Sequence, residues 1–172
     1  MGLPTTAAYL VLATVVAPAL SQLGVDILTA HMFVFFYGCV STITPPVALA
    51  SYVAAGIAGS DINKVSWTAF FYGITCYILP FMFFYGPGLL LNGTLPTIVL
   101  AVSTAIIGVC AIAAAVVGYF RDTLNIPFRA LFFMIGILLM LQGITTDLIG
   151  AAMLAGILFF QNKFNTAQIQ GS

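Results

Sequence analysis

Charge is what this sequence has least of. Of its 172 residues, 5% are Asp, Glu, Lys or Arg, the two signs balance, and one residue is histidine. A globular domain commits about a quarter of its residues to charge, so a water-facing surface cannot be built from this chain. The bases Lys64, Arg121, Arg129 and Lys163 are offset by Asp26, Asp61, Asp122 and Asp147. No basic face exists to neutralise a run of phosphates, which excludes nucleic acid as a partner. Cysteine is scarce as well. Cys39, Cys76 and Cys110 stand singly inside apolar runs, too scattered for a metal pair or a disulfide framework, and are expected to be small buried side chains. No Ser-His-Asp or Cys-His set, metal-binding His pair or phosphate-cradling glycine motif is present, so no enzyme activity and no cofactor are expected. Residues 1–6 contain no base and lack the charged first region of a signal peptide. Either the chain is inserted by its own spans or it is a piece of a longer one.

What the sequence has in abundance is apolar length. Hydrophobic residues make up 62% of the chain and the mean hydropathy is +1.18, which marks an integral membrane protein. Hydrocarbon about 30 Å thick takes roughly 20 residues of helix, and backbone groups inside it must be bonded internally. The expected fold is therefore all-α and polytopic. Residues 7–23 read as part of a span or as one arm of a hairpin. Asp26 and Thr29 mark a short polar link before a longer run at 31–56. Gly59, Ser60 and Asp61 supply a loop and an N-cap, with Trp67 at an interfacial position. A helix follows over 65–91, with Pro80 as a possible kink and Gly86-Pro87-Gly88 as an early end. Asn92-Gly93-Thr94-Leu95-Pro96 is a turn, and 97–120 is the next crossing. There Ala111 with Ala115 and Ala114 with Gly118 stand at the small-xxx-small spacing that lets another helix approach closely. The run 130–160 is either one tilted span or a hairpin of two short helices around Gly143-Ile144-Thr145-Thr146-Asp147. If it is one span, Lys64, Arg121 and Arg129 share a face opposite Lys163, and the positive-inside rule puts the Lys64 face in the cytoplasm.

The run 31–56 carries Ser41-Thr42-Ile43-Thr44-Pro45-Pro46 at its middle. Two consecutive prolines lack N–H groups and disfavour helix in the residue before them, so the helix is expected to break near Thr44. At membrane depth such irregular backbone is tolerated only where protein or a polar cavity takes up the freed carbonyls. Gly2-Leu3-Pro4-Thr5-Thr6 is the other place where hydroxyls stand beside helix breakers. Carbonyl and hydroxyl oxygens suit a hard cation such as sodium, since they replace water without adding charge. Half-helix N-termini after such breaks favour an anionic group. The competing structural reading is a proline kink whose Thr hydroxyls bond back to the preceding turn.

GLPTTAAY at 2–9, HMFVFFYGCVSTITPPVALASYVAAGIAGSD at 31–61 and the run through FYGPGLLLNG at 84–93 together resemble the large permease subunit of tripartite ATP-independent periplasmic (TRAP) transporters. The likeness is greatest to the TAXI branch, where small and large subunits are fused. It covers essentially the whole chain as the C-terminal part of such a permease, and Thr44-Pro45-Pro46-Val47 is its most specific piece. The resemblance implies an elevator-type secondary transporter with two inverted repeats, each holding a re-entrant hairpin and a discontinuous helix. It places 1–59 in the second half of the transport domain as hairpin arm plus broken helix. Residues 60–93 become a scaffold-type helix and 94–172 a C-terminal extension. About three transmembrane helices then follow the broken one. It further implies that Pro4, Thr5, Thr6, Ser41 and Thr42 meet substrate. Gly2, Thr5, Thr42, Thr44 and Pro45 would hold sodium, largely through backbone carbonyls. The family's Pro-Pro-Val-Gly is Pro-Pro-Val-Ala here, with Ala48 in the last place. The implied function is sodium-coupled import of a small organic anion, delivered by a periplasmic solute-binding protein, across the bacterial inner membrane. The rest of the permease is an expected partner, because the first repeat is missing from these residues. The alternatives are a self-contained small membrane protein acting as a structural or assembly subunit, or a small channel.

Two ionisable residues stand apart. His31 reads as an interfacial residue near the start of a span, with a proton relay as the functional alternative. Asp147 reads as a cap between two half-helices, or as a polar anchor between helices if the last run is continuous. The aromatic runs Phe33, Phe35, Phe36, Tyr37 and Phe81, Phe83, Phe84, Tyr85 are expected to pack and to contact lipid.

Overall fold

A computed structural model describes residues 4–120 and 122–169, the side-chain surroundings of Pro87, Asp122 and 158–169 being left aside. Gly2, placed among the sodium ligands, and Arg121, used in the charge count, lie outside the described residues. The described chain is helical apart from one minimal antiparallel ladder, in which β1 (Tyr119–Phe120) pairs with β2 (Asp122–Thr123). Three helical stretches among the described residues are long and apolar enough to cross a membrane: Thr5–Gln22, Ile62–Tyr85 and Leu95–Val117. Large apolar side chains such as Val15, Val53, Val99 and Ile106 stand outward on their helices, a surface suited to lipid rather than water. The protein is an all-α polytopic membrane protein.

The chain forms two compact units, 1–98 and 99–172. In the first, α1 (Thr5–Gln22) turns at Leu23–Gly24 and returns as α2 (Ile27–Val40). Gly24 takes φ +89° at this reversal, a conformation that glycine adopts without steric cost. Asp26 is more than a polar link: its carboxylate accepts from the amides of Leu28 and Thr29, so α2 starts at Ile27. The two helices pack along an apolar seam of Ala17, Ala30 and Val34, flanked by Leu12, Ala13, Val16 and Leu20. Tyr9 on α1 also meets His31 on α2, hydroxyl to Nδ1, at 3.1 Å.

After α2 the helix stops. A 3₁₀ turn over Ser41–Ile43 leads into non-helical backbone, and α3 (Leu49–Ala58) begins afresh. Gly59, at φ +61°, ends α3, and Asp61 caps α4 (Ile62–Tyr72) by accepting from the Lys64 amide. α3 packs on α4 and on the 3₁₀ turn. Gly73 alone separates α4 from α5 (Ile74–Tyr85). The expected helix over 65–91 thus begins earlier, is interrupted at Gly73 and ends before Gly86. α5 carries Pro80 and packs on α2 through edge-to-face contacts of Phe33 with Phe81 and Phe84 and of Phe36 with Phe83. The aromatic runs are packing surfaces, as expected. A second 3₁₀ turn (Pro87–Leu90) and the Asn92-Gly93 turn then lead to α6 (Leu95–Val117).

In the second unit α6 meets α7 (Ile126–Met140) through small residues. Ala111, Ala114 and Ala115 are buried with Phe132, Ile135 and Leu139. Two glycines let the backbones come close: a Cβ on Gly136 would lie 2.8 Å from the Gly108 carbonyl oxygen. In lipid the hydrophobic drive between helices is absent, so such close packing is what holds them together. Arg129 seals the end of α6, donating from Nε to the Ala115 carbonyl and from Nη2 to the Val116 carbonyl, each at 2.8 Å. The last run resolves as a helical hairpin, α7 and α8 (Ile144–Ile169), turning at 141–143. Ile157 joins the cluster that contains Phe132 and Leu124, so α8 runs back towards the start of α7. Lys163 is therefore not carried to the face opposite Arg129, as the single-span charge count supposed. The thiols also differ from expectation: Cys39 is half-buried, but Cys76 and Cys110 are exposed on their helices.

Candidate functional site at the broken helix

The break between α2 and α3 follows from missing donors. A continuing α-helix would turn the amides of residues 45 and 46 towards the carbonyls of Ser41 and Thr42, and both are prolines. The carbonyls of Thr42, Ile43 and Pro45 accept no hydrogen bond among the described residues. The Pro45–Pro46 peptide is cis.

The hydroxyls around the break are tied back instead. Ser41 Oγ donates to the Gly38 carbonyl at 2.7 Å, Thr42 Oγ1 to Cys39 at 2.8 Å and Thr44 Oγ1 to Val40 at 2.6 Å. With the Thr44 proton used in this way, the Tyr77 hydroxyl 2.6 Å away donates to Thr44 Oγ1. Tyr37 in turn donates to the Tyr77 carbonyl at 3.0 Å, and Tyr52 on α3 to the Pro46 carbonyl. The alternative to an ion site was a proline kink with its hydroxyls bonded back to the preceding turn; the hydroxyls do bond back, and the helix breaks rather than kinks. Each hydroxyl gives its hydrogen to the preceding turn, which leaves oxygen lone pairs directed away from that turn.

Pro4, Thr5 and Thr6, the described part of the first segment singled out for a site, come to the same end of the α1–α2 pair as the 41–46 segment. A Cβ on Gly38 would lie 3.4 Å from the Tyr9 amide nitrogen and 3.8 Å from the Thr5 carbonyl oxygen, so the first turn of α1 packs directly on the last turn of α2. Pro4 starts α1 and its carbonyl accepts from Ala8. Thr5 is half-buried beside α2, whereas Thr6 is exposed. Ser41, Thr42, Thr44 and Pro45 are half-buried one turn beyond Gly38. Gly73 makes room for this turn from the α5 side, since a Cβ there would lie 2.6 Å from Ile43 Cδ1.

Three contributors escaped the sequence reading. Tyr77 and Tyr37 were not distinguishable from lipid-facing aromatics by pattern. Ser51, in the first turn of α3, is 2% exposed and its Oγ has no partner. The residue one turn before it, Val47, lies outside the helix, so Ser51 lacks the back-bonding carbonyl that Ser66 and Thr68 use. Among the described residues, no group of three His, Cys, Asp or Glu side chains assembles for a transition metal. The oxygens on offer at the break are neutral and hard.

No curated protein matches the chain, and no solved structure does. The family model for the DctM component of tripartite ATP-independent periplasmic transporters matches residues 1–98, the same residues that form the first compact unit. That match covers more than half of the chain and includes the broken helix: the protein belongs to the DctM family, a family of transporter membrane permeases rather than of enzymes.

Proposed function

We propose that the break between α2 and α3 holds sodium during import of a small organic anion. In this reading the chain works with the remainder of a TAXI-type permease in the bacterial inner membrane, and a periplasmic solute-binding protein delivers the substrate. The observation that carries the reading is that the Thr42 and Pro45 carbonyls, two of the three left unpartnered at the break, stand beside the half-buried hydroxyls of Ser41, Thr42 and Thr44. Neutral oxygens fixed by the fold replace a cation's hydration without trapping it. Thr5 joins them from the first turn of α1, and Gly2 precedes that turn in sequence. On the far side of the break α3 starts with no side-chain cap. Its first amides therefore favour a substrate carboxylate, with Pro4, Thr5, Thr6, Ser41 and Thr42 lining the approach. Sodium bound between the two half-helices stabilises the arrangement that accepts substrate, which is the coupling that a symporter requires. The Lys64 face lies in the cytoplasm in this reading.

The test is uptake by the full-length transporter carrying Thr42→Ala with Thr44→Ala. Half-saturating sodium is expected to rise at least about tenfold, equivalent to about 1.4 kcal/mol of lost ion affinity, with membrane levels unchanged. Unaltered sodium dependence would remove these residues from the ion site.

A further inference from the structure

The second unit contains a different kind of break. At 141–143 the chain reverses through Gln142 at φ +48°, and the local polar groups are satisfied by Thr146, whose Oγ1 accepts from the Gly143 amide at 2.9 Å and donates to the Gly143 carbonyl at 2.8 Å. Asp147 follows in the first turn of α8. Placed between two half-helices it was expected to act as a cap, but its side chain caps nothing. It is 8% exposed, Oδ1 is fully buried without a partner, and neither oxygen accepts a hydrogen bond among the described residues. Gln142 Nε2, in the turn itself, is also buried without a partner.

Among the described residues no cation pairs with this carboxyl. On α7 the only titratable or charged group is Arg129, at the far end of the helix and committed to the carbonyls of α6. On α6 it is Cys110, which is exposed. The partial positive charge at the start of α8 offsets only a small part of the cost of an isolated carboxylate in apolar surroundings. A buried ion left without partner or hydrogen bond is among the most destabilising arrangements a fold can contain. The observations call for a mobile positive charge.

We propose that the α7–α8 turn is a site for a single small cation, a proton or an alkali-metal ion, which binds at the Asp147 carboxyl and neutralises it. The Gln142 amide, buried and unpartnered in the same turn, is the second ligand this proposal offers. Turned one way it presents its oxygen to a metal ion, and turned the other it donates N–H to a neutral carboxyl. The site lies outside the residues matched by the family model and does not rest on the sodium site proposed at the α2–α3 break.

The experiment compares the full chain with Asp147→Asn, an isosteric neutral variant, in liposomes. Unfolding midpoints are measured across a pH series in potassium-free and sodium-free buffer, and again with added sodium or potassium. The wild type is expected to gain stability when protons or alkali ions are supplied, and Asp147→Asn to lack that gain. A hydrophobic carbodiimide, which attacks protonated carboxyls in apolar settings, separates the two ions. Asp147 is expected to label at least about tenfold faster than the exposed Asp26 and Asp61, a ratio equivalent to about 1.4 kcal/mol. Protection by sodium or potassium at fixed pH identifies a metal ion; labelling that rises only as pH falls identifies a proton. The proposal is overturned if Asp147→Asn responds to pH and salt as the wild type does, or if the wild type responds to neither. Because the comparison is between the two chains, a sodium response from the α2–α3 break appears in both and cancels.

Discussion

The α2–α3 break and the α7–α8 turn interrupt apolar helices in opposite ways. At the first, Pro46 withdraws the donor to Thr42 and the Leu49 amide turns to Val47, so the Thr42 and Pro45 carbonyls stay open while the hydroxyls of Ser41, Thr42 and Thr44 are tied back. At the second, the chain reverses and Thr146 satisfies the local backbone, so what remains open is a side chain, Asp147. The difference sets the kind of ligand each can take. Neutral carbonyls, fixed by the backbone, bind an ion weakly enough to release it, whereas a lone carboxyl must be neutralised whenever it is buried.

The largest expected effect breaks the comparison at its packing. In Gly136→Leu the new side chain starts against Ile112 and 2.8 Å from the Gly108 carbonyl oxygen. Backbone cannot yield there, and overpacking of this kind costs about 1–3 kcal/mol or more. In Gly73→Leu the first atom met is Ile43 Cδ1, the movable end of a side chain, so the loss of stability is smaller. Thermal unfolding in detergent is expected to rank Gly136→Leu as the more damaging. Transport assays are expected to show a further defect in Gly73→Leu, because Ile43 belongs to the 3₁₀ turn of the break. The reverse order in unfolding would mean that the α6–α7 contact does not hold the second unit together. The smaller effect sharpens the comparison: Tyr77→Phe removes the donor to Thr44 Oγ1 but leaves the Thr44 bond to Val40 intact. Loss of about 1 kcal/mol is expected, visible as a modest fall in the unfolding midpoint and a small rise in half-saturating sodium.

The parts of this molecule written in local chemistry were legible in the sequence. Pro45 and Pro46 lack N–H groups in any context, so the break was placed correctly. Asp61 capped its helix as expected, and the alanines of α6 pack at the spacing that predicted them. What depended on distant partners was not legible. Nothing near Tyr77 in sequence points to Thr44, and the Gly38–Thr5 approach exists only once α1 and α2 have paired. Gln142 gave no turn signal, because positive φ at a glutamine is imposed by the hairpin around it rather than favoured by the residue. For the same reason Asp147 read as a cap, the usual role of an acid at a helix start. Its isolation is a matter of burial in the folded chain, which no local pattern encodes.

The most direct test of the central claim is a pair of experimental density maps of the full-length transporter, one in sodium and one in a sodium-free medium. The account predicts a helix interrupted between Val40 and Leu49, with a compact ion peak within reach of the Thr42 and Pro45 carbonyls that is lost when sodium is withdrawn. A continuous helix through those residues, or identical density at the break in both media, would contradict it.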